Sequence, residues 1–199
     1  MRRPLKVKYQ MRKFRILLLI SIIAFIFSCS SKSTKPEEAF DAEKQFSKAN
    51  ELVEKKDYDE ARKIFFEIKN RDITKKYAPL AQLRIADSYV KEEEHDKAVD
   101  EYKRFIEIYP EHKYASYAQY QIGMIYFSQI ESSERGYGAA SKALSEFEKL
   151  KRLYPRNPYR EVIEMRIEKC KEVMADYEFI VGVFYFKKDS YDAAIKRLE

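Results

Sequence analysis

The chain has 199 residues, enough for one domain or one short array, and its 15% aromatic and 36% charged residues with only four glycines favour amphipathic helices over a sheet. The formal charge of +6 would suggest nucleic acid, but the excess is local: seven of the 39 basic residues and no acidic residue precede Cys29, which leaves 32 basic against 33 acidic residues. A near-neutral body excludes nucleic acid as the partner.

Residues 1–28 read as an export signal. A basic stretch, with Met11 as an alternative start, leads into the 12 residues Ile16 to Phe27, which are apolar except for Ser21. That run is too short to span a bilayer, which needs about 20 apolar residues. The segment Ile26-Phe27-Ser28-Cys29 resembles a bacterial lipobox. The resemblance implies that Cys29 becomes the first mature residue and carries acyl chains, palmitate among them, fixing the protein to a membrane without a spanning helix. Ser30 and Ser31 follow in place of an aspartate, which implies sorting to the outer membrane. Residues 29–38, rich in Ser, Lys and Pro, read as a flexible tether.

Helical periodicity fills the rest, with repeats predicted at about 39–72, 78–110, 114–155 and an incomplete 175–199. The second is the clearest: Ala86 and Tyr89 lie on one face of a first helix, Ala98, Tyr102 and Phe105 on one face of a second, and Pro110 ends it. This resembles a tetratricopeptide repeat, whose small and aromatic residues recur at fixed helical offsets. The small residues allow the paired backbones to approach closely. Repeat one has a first helix predicted from Glu37 to Lys55 and a second carrying Ala61 and Phe65. Repeat three places Gly123 and Tyr126 on its first helix and Ala143 and Phe147 on its second. Eight more residues separate them than an unbroken repeat allows, predicting an insertion at 128–138 with a surface-loop composition. A helix of 29 residues is predicted from Tyr159 to Lys187; its later part, with Gly182 and Tyr185, doubles as the first helix of repeat four, followed by Ala194. The array stops without a polar capping helix, so the chain is expected to be shorter than the natural protein at its carboxy terminus.

No phosphate loop, HExxH, CxxC or GxSxG occurs. His95 and His112 read as turn residues and Cys170 as a packed thiol, so no metal, cofactor or enzymatic activity is expected beyond the lipid on Cys29. Tyr114, Tyr117 and Tyr120 recur every three residues and cannot all face inward. Tyr117 and Gln121, with Gln82 one repeat earlier, are the candidates for a peptide groove on the concave face; packing between repeats is the competing role for them.

Taken together, the lipobox, the tether, YDEARKIFFEI, AVDEYKRFIEIYPEHKYASYAQYQIGMIYF, the inserted loop with Ser133-Glu134-Arg135, ALSEFEKLKRLYPRNPYREV and the long helix with Asp176-Tyr177-Glu178 resemble the BamD family of outer-membrane assembly lipoproteins. The resemblance implies a scaffold of the β-barrel assembly machine, anchored in the outer membrane and facing the periplasm. Its amino-terminal repeats would receive signals of unfolded barrel proteins. Its carboxy-terminal repeats would dock the barrel insertase, beside accessory lipoproteins, and weakly in a chain whose last repeat is incomplete. A repeat protein serving cell-wall or division machinery is the alternative, which would lack the insertion and the fused helix.

Overall fold

A computed structural model describes residues 40–199, so the predicted signal, Cys29 and the tether lie outside the described residues. Eight helices and no strand occur among the described residues: α1 (Ala42–Glu54), α2 (Tyr58–Arg71), α3 (Ala78–Lys91), α4 (His95–Ile108), α5 (Ala115–Ser128), α6 (Tyr137–Leu153), α7 (Arg160–Phe186) and α8 (Tyr191–Leu198). Each helix packs on the next in sequence. Reversals at 55–57, 92–94 and 187–190, and the eight-residue loop at 129–136, close four antiparallel pairs, and six-residue loops at 72–77, 109–114 and 154–159 join one pair to the next. This is an all-α tetratricopeptide solenoid.

The core follows from small residues set against large ones. Ala49, Ala61, Phe65 and Ile68 form one buried cluster with Ala81 and Ile85 of the next pair. From the opposite face of α3, Leu83 and Ala86 enter a second cluster with Ala98, Tyr102, Phe105 and Ile122. The third gathers Ala143, Phe147, Leu150, Ile163, Ile167 and Cys170. The two inner pairs thus share their faces between neighbouring clusters, and stability is built pair by pair. At Gly123 the approach is closest: a Cβ there would stand 2.5 Å from Phe147 Cε1, so the ring fits only against glycine. A Cβ on Gly182 would likewise stand 2.7 Å from Leu198 Cδ2. Tyr89, Tyr126 and Tyr185 are half-buried, and Ala194 is buried.

Three of the tight reversals are closed alike. Lys56, Glu93 and Asp189 adopt left-handed φ of 62°, 61° and 55°. The next amide donates to the carbonyl five residues back: Asp57 to Leu52, Glu94 to Tyr89, and Ser190 to Tyr185. This is the helix-ending geometry that glycine adopts without strain, here taken by longer residues.

Several predicted boundaries need correction. The first helix begins at Ala42, because the Asp41 carboxylate accepts from the Lys44 amide at 3.0 Å and caps it there; Phe40 and Asp41 are not helical, and residues 37–39 lie outside the described ones. The insertion is a loop only at 129–136. Compared with the three-residue reversals, that loop has five extra residues; the other three lengthen α6 to 17 residues, where α2 and α4 have 14. The long helix runs for 27 residues, one shorter at each end than expected.

Candidate functional site

Counting along α3, Leu80, Leu83, Arg84 and Asp87 fall within two turns on one face, at offsets of three and four. They line a groove of about 330 Å³ with Phe46 of α1, Tyr114 and Tyr117 at the start of α5, and Tyr159 at the start of α7. All of these belong to, or directly precede, the first helix of a pair, so the groove crosses one layer of the solenoid.

Its walls are fixed by hydrogen bonds that converge on one carboxylate. Asp87 Oδ1 accepts from the Tyr102 hydroxyl at 2.7 Å and the Tyr117 hydroxyl at 3.0 Å, while Oδ2 accepts from Arg84 Nη1 at 3.3 Å. Burial first, and the Asp87 carboxylate second, push the Tyr117 phenol up to about 12 and the Tyr102 phenol far above its ordinary range. Both hydroxyls therefore remain protonated donors at any physiological pH. The two rings meet edge to face at 6.3 Å, and Tyr120 stacks on Tyr159 at 4.2 Å. A groove with apolar aromatic walls, a half-exposed guanidinium at Arg84 and a held carboxylate suits an extended peptide, with the cation placed to take a carboxylate.

Of the residues predicted for this groove, Tyr117 lines it. Gln121 is half-buried one turn further along α5, within hydrogen-bond reach of the Tyr117 phenol. Gln82 does not belong to it. It is fully buried, with Nε2 donating to the Glu101 backbone oxygen at 3.1 Å and carboxylate at 2.6 Å, and Oε1 accepting from Lys69 Nζ at 2.8 Å. Gln82 is a clasp between α2, α3 and α4. Phe46, Leu80, Arg84, Asp87 and Tyr159 were missed, although the register could have found some of them. The 37-residue offset that carries Ala61 to Ala98 and Ala86 to Gly123 carries Tyr117 back to Leu80 and Gln121 back to Arg84.

Other candidate groups have structural places. His112 is wedged among Phe105, Tyr109 and Tyr114, its Nδ1 accepts from the Tyr114 amide at 3.3 Å, and burial, then Lys113, lowers its basicity. Burial pushes the Cys170 thiol up to about 11, which leaves it an inert packing group. No cluster of His, Cys, Asp or Glu able to hold a metal ion occurs among the described residues.

Comparison with known proteins gives the site its setting. The chain is 27% identical to "Outer membrane protein assembly factor BamD" of Neisseria gonorrhoeae, over 92% of this chain and 74% of that protein. A protein of the same name from Rickettsia prowazekii is 25% identical over 95% of this chain and 76% of its own length. A solved thermophilic TPR protein from Thermus thermophilus aligns with 79% of this chain and 88% of its own at a TM-score of 0.44 and 18% identity. The model of the YfiO family, described as "Outer membrane lipoprotein", matches residues 38–199, and the chain belongs to that family.

Proposed function

We propose that this chain is a non-catalytic scaffold for assembly of outer-membrane β-barrel proteins, held at the periplasmic face of the outer membrane by lipid on Cys29. Its groove receives the carboxy-terminal segment of an unfolded barrel protein. The observation that carries this reading is the aromatic groove across the first helices, with Arg84 beside it. An unfolded barrel strand offers alternating aromatic side chains and a terminal carboxylate. The walls built from Phe46, Tyr114 and Tyr117 suit the first, and the guanidinium suits the second. Because the groove is braced by the Asp87 network, it gives up little ordering entropy on binding. The exposed Phe179, Phe184 and Phe186 on α7 support a second, protein-facing role for the carboxy-terminal pairs, toward the barrel insertase and its accessory lipoproteins. The assembly-factor names of the relatives support the same setting.

Anisotropy titration with a labelled peptide, the last ten residues of an outer-membrane barrel protein, tests the reading. Arg84→Glu and Leu80→Asp are each expected to weaken binding at least about tenfold, the loss of one charge-assisted bond or one apolar wall. Affinities equal to that of the parent chain for both variants would refute the groove assignment.

A further inference from the structure

The antiparallel pairs send their two sets of loops to opposite edges of the solenoid. The loops between pairs lie together. The first loop leads into α3 and the second leaves α4, which packs on it, and the Tyr154 hydroxyl donates to the Pro110 carbonyl at 3.4 Å, joining the second to the third. The two edges differ in charge. Residues 72–77, 109–114 and 154–159 carry four basic residues, Lys75, Lys76, Lys113 and Arg156, against the acidic Asp72 and Glu111. The opposite loops, 55–57, 92–94, 129–136 and 187–190, carry five basic against seven acidic.

The basic edge also presents separate aliphatic tips. Ile108 and Leu153 are 51% and 49% exposed, and Ile73 is 94% exposed. Ile73 is held out by its neighbours. Buried Asp72 accepts from the Thr74 amide and hydroxyl at 3.0 and 2.6 Å, and from the Tyr77 and Ala78 amides at 2.6 and 3.0 Å, which fixes the loop on both sides of it. None of the three tips lines the peptide groove. Isolated aliphatic side chains among cations fit a flat, deformable anionic surface better than a shaped protein partner.

The described chain also enters at this edge. The Arg71 guanidinium lies over the Phe40 ring at 4.4 Å, and Lys76 pairs with Glu43 at 3.9 Å. Ten residues separate Phe40 from Cys29, a reach of at most about 40 Å. We infer that the edge formed by the loops between pairs rests on the anionic lipid surface into which Cys29 is anchored, with Ile73 inserted and Lys75 and Lys76 at the headgroups. The groove would then stand off the membrane at a fixed angle, and an incoming segment would meet it in one orientation. This inference rests on the lipid-anchor reading above.

The test uses the full, lipidated protein reconstituted in vesicles of phosphatidylcholine alone or with one quarter phosphatidylglycerol. Ile73→Cys, and Glu134→Cys on the opposite edge as control, carry an environment-sensitive fluorophore. On anionic vesicles the probe at position 73 is expected to shift to the blue and to be quenched by brominated acyl chains, while the probe at 134 keeps its aqueous spectrum. Charge reversal of both Lys75 and Lys76 to glutamate is expected to abolish the shift. Aqueous spectra from both probes on anionic vesicles, or identical shifts from both, would overturn the inference. Flotation with neutral vesicles separates the two claims. A chain that floats while position 73 stays aqueous on anionic vesicles refutes the docked edge alone, whereas a chain that does not float refutes the anchor.

Discussion

The junction between the first and second helix pairs and the junction between the second and third are built at equivalent positions from opposite chemistry. Moving 37 residues along the chain turns Arg62 into Val99, Lys69 into Ile106 and Asp72 into Tyr109. At the first junction, Arg62 binds Glu92, Asp59 and, at 3.2 Å, the Ser88 hydroxyl, and lies 4.4 Å over the Tyr89 ring. Lys69 donates to Gln82 there. At the second junction, buried Val99 and half-buried Ile106 pack against the core instead. The clasp glutamine is present in both: Gln119 Nε2 donates to the Glu146 backbone oxygen at 3.2 Å and carboxylate at 2.7 Å, just as Gln82 does to Glu101. With isoleucine in the lysine's place, however, the buried Gln119 Oε1 has no partner among the described residues. A polar clasp is stabilising when every member is satisfied and costly when one is not.

The largest expected effect breaks the clasps one at a time. Gln82→Leu strips half-buried Lys69 of its hydrogen-bond acceptor and leaves buried Glu101 with Arg104 alone, and should cost about 2 to 3 kcal/mol in urea unfolding. Gln119→Leu removes the equivalent bonds to Glu146, which keeps Lys149, but its carbonyl is already orphaned, so it should cost about 1 kcal/mol less than Gln82→Leu. Equal losses would mean that Lys69 contributes nothing to the first clasp.

Salt sharpens the contrast. Arg62→Met should cost about 2 kcal/mol at low ionic strength and less in molar salt, because its pair with Glu92 is only partly shielded from solvent. Val99→Ala should cost a similar amount that salt does not reduce, since it removes packing alone. Acid discriminates in the same way. Burial works to raise the Asp72 carboxyl, but the bonds from Thr74, Tyr77 and Ala78 prevail and hold it below its ordinary value. The stability it lends is therefore complete above about pH 4 and is lost as pH falls through the depressed folded value. Asp72→Asn should flatten that acid limb, whereas Tyr109→Phe at the second junction should leave it unchanged. The smallest effect is a gain: Glu93→Gly, relieving a left-handed residue, should add up to about 1 kcal/mol.

The helix pairs were legible in the sequence because their signal is local. Ala61, Ala98 and Ala143, each followed four residues later by Phe65, Tyr102 and Phe147, mark the crossing points, and Gly123 faces Phe147 as its small size implies. The groove was only half legible. Tyr117 stood out because aromatic residues recur around it. Asp87 did not, because its partners Tyr102 and Tyr117 lie 15 and 30 residues away and meet it only once α3, α4 and α5 have packed. Gln82 was misplaced for a rotational reason: one residue is about 100° on a helix, and Gln82 is adjacent in sequence to groove-lining Leu83 yet turned into the inter-helix seam. The insertion divided between loop and helix because Tyr137-Gly138-Ala139-Ala140 can extend α6 backward, with the Tyr137 ring packed 5.0 Å from that of Tyr177.

Site-specific photocrosslinking tests most directly the claim that one layer of the solenoid receives substrate. Benzoylphenylalanine placed at Leu80, in the groove, and at Lys103, exposed on α4, would be irradiated with an unfolded outer-membrane barrel protein carrying its carboxy-terminal segment. The account predicts adducts from position 80 that disappear when that segment is deleted, and none from position 103. Adducts of equal yield from both positions, or adducts from 80 that persist without the segment, would contradict it.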